Sequence, residues 1–217
     1  MSTRLGILGG MFDPVHNGHI EAARFAVQAL TLQQLDLVPC HIPNHRAAAT
    51  STAEHRLAML RLATAGDDRL KVNSIEIERS QVSYTVDTLA TIGAANPDAT
   101  LVFVLGIDAF NTLPAWHRWQ ELLERCHLFV LARELEPIAA ATSAALNLVQ
   151  RRVESPEALF ETRAGRVYLA QDFHSDLSSS RVRAFLQERA DVSALLDKRV
   201  KEYIHQHALY TERTNAS

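Results

Sequence analysis

Short apolar runs alternating with helix-period segments are the feature that most limits what this chain can fold into. Residues 5–8 read as a buried strand that stops at Gly9-Gly10, and residues 35–38 form a second apolar run. Between them Ile20, Ala23, Val27 and Leu30 recur at the spacing of one helix face. Residues 39–51 carry two prolines and no clear period, and read as a long loop. Ser51-Thr-Ala-Glu54 then has the spacing of a capping box, opening a helix through Leu57, Leu60 and Ala63. Residues 70–77 alternate as a strand does, and 84–95 are helical, closed by Asn96-Pro97. Residues 101–105 are apolar throughout and stop at Gly106, with further strands expected at 128–131 and 167–170. Val182, Phe185 and Leu186 mark a helix after a serine run; Leu196, Val200 and Ile204 mark the last one.

Strands that alternate with helices imply parallel βαβ units with right-handed crossovers and helices on both sheet faces. The expected fold is therefore α/β, a doubly wound parallel sheet with a C-terminal helical part. One domain is expected to span residues 1–217, with a surface insertion at about 134–165 that is alanine-rich and carries prolines at 137 and 156. Ligands of such sheets bind beyond the carboxyl ends of the strands. The unusual residues lie there: segment 9–19, segment 106–108 and Arg133 each follow an expected strand.

Composition narrows the partners. A chain of 217 residues can bury a full core, and 47% hydrophobic with 22% charged residues is ordinary for a soluble protein. Net charge is −3 with both signs interspersed, which argues against nucleic acid or membrane as a partner. Two cysteines, Cys40 and Cys126, make no disulfide framework and fit a reducing compartment. Both read as unreactive, with Cys126 in the core. The opening residues have too short an apolar run for a signal peptide, and no stretch approaches the roughly 20 apolar residues of a membrane span. A cytoplasmic protein acting on small molecules is expected.

Gly9-Gly10-Met11-Phe12-Asp13-Pro14-Val15-His16-Asn17-Gly18-His19 is the most informative segment. Glycines after a buried strand let backbone N–H groups approach an anion. The helix start that follows offers free donors and a partial positive charge to phosphate. His16 and His19, three apart, can point to one side and donate to phosphate oxygens. A glycine pair alone is also an ordinary turn, and paired histidines can ligate a metal, but no third ligand sits at a suggestive spacing. Neither a Walker A loop nor G-x-G-x-x-G is present, which disfavours a dehydrogenase.

This segment resembles the signature (T/S)-F-D-x-x-H-x-G-H of the H-x-G-H nucleotidyltransferases. Over nearly its whole length the chain is similar to the bacterial nicotinate mononucleotide adenylyltransferases. Ile42-Pro43-Asn44-His45-Arg46 resembles their P-P-H-(K/R), and Val82-Ser83-Tyr84-Thr85 resembles P-S-Y-T. Gly106-Ile-Asp108 with Leu113-Pro114-Ala-Trp116 resembles G-x-D followed by L-P-x-W. Leu177-Ser178-Ser179-Ser180-Arg181-Val182-Arg183 resembles I-S-S-T-x-I-R. Met11, Cys40 and Asn44 depart from the family pattern; Met11 removes a hydroxyl beside the phosphates, so the backbone must make that contact.

The resemblance implies a Rossmann-like fold and transfer of AMP from ATP to nicotinate mononucleotide, with Mg2+ accompanying ATP. It implies ATP contacts at Gly9, Gly10, Met11, Phe12, His16, His19, Gly106, Asp108, Ser178, Ser179 and Arg183, of which His16, His19 and Arg183 would be catalytic. It implies contacts to nicotinate mononucleotide at Cys40, His45, Arg46, Tyr84, Thr85, Trp116 and Arg133. The residue types suit these roles. Ser178 to Ser180 can cap the helix holding Val182, and Arg183 lies one turn from Ser179. Asp108 can accept from ribose hydroxyls or cap a helix. Trp116 can stack on a pyridine ring, whereas Trp119 reads as core. Thr85, at a helix start, can bond the pyridine carboxylate. Arg133 can pair with an anion or sit in a surface ion pair. Another acceptor, such as nicotinamide mononucleotide, phosphopantetheine, FMN or a polyol phosphate, is the nearest alternative, and a non-catalytic nucleotide-binding module is a second. A homo-oligomer is compatible with either.

Overall fold

The computed structural model describes residues 3–43, 48–132 and 137–211. The chain opens with β1 (Arg4–Gly10), α1 (Asn17–Ala29), β2 (Gln34–Pro39), α2 (Ala53–Thr64) and β3 (Leu70–Val72). It continues through α3 (Ile75–Arg79), α4 (Thr85–Ala95), β4 (Thr100–Gly106), α5 (Ile107–Thr112), α6 (Trp119–Arg125) and β5 (His127–Leu131). After α7 (Ala140–Ala145), α8 (Leu148–Arg151), β6 (Arg152–Val153) and β7 (Val167–Ala170) come α9 (Ser179–Gln187) and α10 (Lys198–Gln206).

The strands form one seven-stranded sheet in the order β3-β2-β1-β4-β5-β7-β6. Every pairing is parallel, with Ile7 beside both Asp36 and Phe103 at the centre. The sheet is buried on both faces, so β4 is a continuous apolar run. Its side chains alternate: Val102 and Val104 join one core cluster with Ala23, Val27, Met59, Leu60, Val182 and Val200. Leu101, Phe103 and Leu105 join the other with Val86, Leu89, Ile92 and Leu122. The chain runs outward from β1 through β2 to β3, then returns to the other side of β1 at β4. That reversal opens a crevice at the carboxyl ends of β1 and β4. No helix among the described residues is long and apolar enough to cross a membrane.

Two local expectations change. The cap of α2 is Thr52, whose hydroxyl accepts from the His55 N–H at 3.4 Å, rather than Ser51. The Ser51 hydroxyl is instead donated to the Asp13 carboxylate at 2.8 Å. The strand expected over 70–77 ends at Val72. There Asn73 turns the chain: its amide donates to buried Asp36 at 2.8 Å and its carbonyl accepts from Ile75 N–H at 3.2 Å, so 75–79 coil into α3. Residues 137–165 hold α7, α8, the short edge strand β6 and a 3-10 turn, and they bury Leu146, Leu148 and Leu159.

His127 at the start of β5 is fully buried, with Nε2 against Thr162 O at 3.1 Å and Nδ1 accepting from Arg166 N–H at 3.2 Å. Burial lowers it from the ordinary 6.5 to about 4. As pH falls, the unfolded chain therefore takes up a proton before the folded one does. The stabilisation is complete above about 6.5 and is lost as pH drops toward 4. His127→Gln, which keeps an amide donor, is expected to flatten the fall in unfolding free energy over that window in urea titrations.

Candidate active site

A cleft of about 690 Å³ lies at the carboxyl ends of β1 and β4, lined by Gly9, Gly10, His16, His19, Gly106, Asp108 and Arg183 among others. This volume suits a nucleotide-sized ligand. The loop from β1 to α1 forms its floor. Phe12 adopts a left-handed backbone with φ 49° and buries its ring. A Cβ on Gly10 would stand 3.0 Å from that ring, so a side chain there would press on the folded-back Phe12. The same ring meets His19 edge-on, at 5.0 Å and 73°. Phe12 therefore reaches the cleft mainly as a wall behind His19.

His16 is the cap residue of α1, and its backbone N–H donates to His19 Nδ1 at 3.2 Å. With Nδ1 accepting, the neutral His19 ring carries its proton on Nε2 and is a donor there. The two rings stack at 3.7 Å and 26°. Burial lowers His16 to about 4; burial, then the adjacent His16, lowers His19 well below 6.5. Both are uncharged at neutral pH. The His16 Nδ1 atom is buried without a hydrogen-bond partner among the described residues. Gly18 permits the packing of this turn, since a Cβ would lie 2.6 Å from Ser175 Oγ and 3.2 Å from His16 Nδ1.

The start of α9 meets this loop directly. Ser178 caps α9 by accepting from Arg181 N–H at 3.2 Å. Ser179 Oγ donates to Pro14 O at 3.0 Å. Arg183 Nη1 donates to Asp13 O at 2.6 Å, and Nη2 to Ser180 Oγ at 3.1 Å. The two helix starts expected to face one polyanion are thus hydrogen-bonded to each other across 165 and 170 positions of sequence.

On the other side of the cleft, Gly106 is the cap residue of α5, so Asp108 is not the cap but an exposed carboxylate in the first turn. Tyr84 and Thr85 begin α4. Trp116 sits edge-on to Phe103 at 6.2 Å with its Nε1 donating to Thr112 at 3.2 Å. Trp119 packs, partly buried, on the cluster around Phe103. Cys40 and Met11 line the cleft as well. His45, Arg46 and Arg133 lie outside the described residues. Cys126 is buried, and burial pushes its thiol up to about 12, as suits an inert core residue.

Sequence reasoning missed four residues. His117 lines the cleft and lies tilted against Tyr84, with ring centroids 4.3 Å apart at 39°. Glu76, nearly buried, lines it too and accepts from Thr88 at 2.7 Å. Arg56 is 1% exposed and donates to Met11 O at 2.8 Å and to His41 O at 3.4 Å. Its signal was present, because Arg56 precedes Met59 and Leu60 by three and four positions and so falls on the buried stripe of α2. Tyr210 donates to Asp13 Oδ1 at 2.7 Å. No cluster of three or more His, Cys, Asp or Glu is placed to hold a metal among the described residues. Among the described residues the arrangement offers neutral donors, helix starts and the Arg183 guanidinium: it can grip a polyphosphate.

Comparison with known proteins agrees with that chemistry. A family model described as Cytidylyltransferase-like matches residues 7–185. A protein of Aeromonas hydrophila named "Probable nicotinate-nucleotide adenylyltransferase" is 42% identical over 207 residues, covering 95% of this chain and 96% of its own. One of the same name from Acidithiobacillus ferrooxidans is 41% identical, with 95% of each chain covered. The structure of Plasmodium falciparum nicotinic acid mononucleotide adenylyltransferase complexed with NaAD superposes with a TM-score of 0.74 at 20% identity, covering 96% of this chain and 97% of that one. At that identity the likeness is one of fold.

Gly18→Ala is expected to weaken nucleoside triphosphate binding, because the added methyl group presses on Ser175 and on His16 Nδ1 and displaces the turn that carries the histidines. Calorimetric titration with ATP and Mg2+ measures it. Thermal stability should fall as well, because an overpacking cost of about 1–3 kcal/mol exceeds the about 0.5–1 kcal/mol by which alanine is favoured over glycine in a helix.

Proposed function

Because the chain belongs to the nicotinate-nucleotide adenylyltransferases, within the cytidylyltransferase-like family, we propose that it transfers AMP from ATP to nicotinate mononucleotide, giving nicotinate adenine dinucleotide and pyrophosphate. The observation that supports this best is the pair of helix starts, α1 and α9, bound to each other through Asp13 and Pro14 around one cleft. An anion bridging two such starts is the expected ligand.

The 5′-phosphate oxygen of the mononucleotide forms a bond to the α-phosphorus of ATP as the bond to the pyrophosphate oxygen breaks. The attacking group is already an anion, so no general base is required. His19 Nε2–H and His16 donate to the phosphate oxygens where charge builds, and they do so as neutral groups. Arg183 supplies the positive charge for the leaving pyrophosphate. The Ser179 hydroxyl is committed to Pro14, so Ser179 acts through its backbone N–H at the start of α9, with the Arg181 N–H already taken by the Ser178 cap. Gly9, Gly10, Met11, Phe12, Gly106 and Asp108 complete the ATP side, with Asp108 accepting from the ribose. A Mg2+ ion would arrive on the triphosphate, held by phosphates and water, in keeping with a donor set rich in N–H groups and poor in convergent carboxylates.

Cys40, Tyr84, Thr85 and Trp116, with His45, Arg46 and Arg133, would receive the mononucleotide, and the acid is taken over the amide. The same reading makes the protein a cytoplasmic enzyme of NAD biosynthesis acting on small molecules. Pyrophosphate release with ATP, Mg2+ and either nicotinate or nicotinamide mononucleotide tests it. The acid should give the higher kcat/KM; silence with both pyridine mononucleotides, or preference for phosphopantetheine or FMN, overturns the reading. His19→Ala should lower kcat by about 10²–10³, as for loss of one preorganised donor, with little change in fold beyond a modest fall in unfolding midpoint as the His16 N–H loses its acceptor. Near-normal turnover would remove His19 from its role.

A further inference from the structure

Asp13 lies in the loop between β1 and α1, yet its carboxylate turns into the protein. It accepts from Thr50 N–H at 2.6 Å, Ser51 N–H at 3.1 Å, Ser51 Oγ at 2.8 Å and Tyr210 OH at 2.7 Å. Tyr210 follows α10, is 6% exposed and also contacts Ser51 Oγ at 2.9 Å. The backbone carbonyl of the same aspartate takes Arg183, and that of the next residue takes Ser179. One residue therefore joins the end of the chain to both helix starts of the cleft.

We propose that Tyr210 is a positioning residue for adenylyl transfer: its hydroxyl fixes Asp13, and through Asp13 the turn carrying His16 and the reach of Arg183. The inference rests on the reaction proposed above. Tyr210 is built to donate. Burial, and the neighbouring Asp13 carboxylate, push its phenol above the ordinary range, outweighing the contact with Ser51 and the nearby Arg183 charge, so it keeps its proton. On Asp13, burial raises the carboxyl, but hydrogen bonds from Tyr210, Thr50 and Ser51 together hold it below its usual value. The charged groups facing it are Arg183, 4.0 Å from Oδ2, and Arg56 beneath the loop. Because the loop is held by the ionised carboxylate, geometry is lost as pH falls through its pKa. Removing the Tyr210 donor raises that pKa, so the loss begins at a higher pH. Displacements of about 1 Å at reacting groups cost about 10²-fold in rate, whereas substrate affinity, spread over the cleft, is less sensitive.

Tyr210→Phe keeps the ring and removes only the hydroxyl. Pyrophosphate release should show kcat down by about tenfold to a hundredfold, KM for both substrates nearly unchanged, and the acid limb of the kcat–pH profile moved to higher pH. Ser51→Ala removes another donor to the same oxygen and should move the limb the same way; it carries the test if Tyr210→Phe does not fold. Tyr203→Phe, which loses only the bond to His55 Nδ1 at 2.9 Å, should leave kcat and the limb in place. If Tyr210→Phe folds and keeps wild-type kcat, or loses kcat with an unmoved acid limb, the inference is wrong. A wild-type protein that releases no pyrophosphate would instead overturn the reaction itself.

Discussion

Hydrogen bonds from α9 to the carbonyls of Asp13 and Pro14 are the contacts on which the site depends. Each helix start carries a partial positive charge, and Arg183 adds a full one between them. Bringing these together is unfavourable unless something fixes them, and the Asp13 carboxylate, 4.0 Å from Arg183, offsets part of the charge. The Arg183 guanidinium is fixed by a carbonyl oxygen 2.6 Å away, a charge-assisted bond of the kind that contributes about 1.5–3 kcal/mol. The cleft is thus assembled in advance, with Arg183 held by the Asp13 carbonyl and balanced by the Asp13 carboxylate 4.0 Å away. Much of the reorganisation that a polyphosphate would otherwise require has already been met by folding.

The histidines follow the same logic. A pair of charged imidazoles at 3.7 Å would repel, and burial removes that possibility by keeping both neutral. The backbone N–H of His16 then decides which nitrogen of His19 holds the proton. Donor direction is set by the first turn of α1 instead of by the ligand.

Much of this was legible in the sequence because it is local. The strand-to-glycine transition at β1, the apolar run of β4 and the serine cap of α9 each follow from neighbours within a few positions. The convergence of His16, His19, Ser179 and Arg183 on one cleft is not local: the resemblance implied it, and no pattern among neighbours reports contacts across 165 and 170 positions. What failed was set by distant partners. Ser51 looks like a cap until Asp13, 38 positions away, claims its hydroxyl. Residues 73–77 alternate like a strand, but Asn73 is tied to Asp36, 37 positions back. Tyr210 meets Asp13 across 197 positions, and no periodicity reports such a contact. Glu76 and His117 face the cleft through the packing of α3 and the loop before α6, which composition does not specify.

Arg56 has a geometric consequence. Its guanidinium holds Met11 O, after β1, and His41 O, after β2, from beneath both loops. In the proposed reaction one loop serves the nucleotide donor and the other the acceptor. A planar, inextensible fork therefore sets their separation, as a spacer block sets the gap between two jaws. A lysine there, with one mobile ammonium, would leave that gap unmeasured.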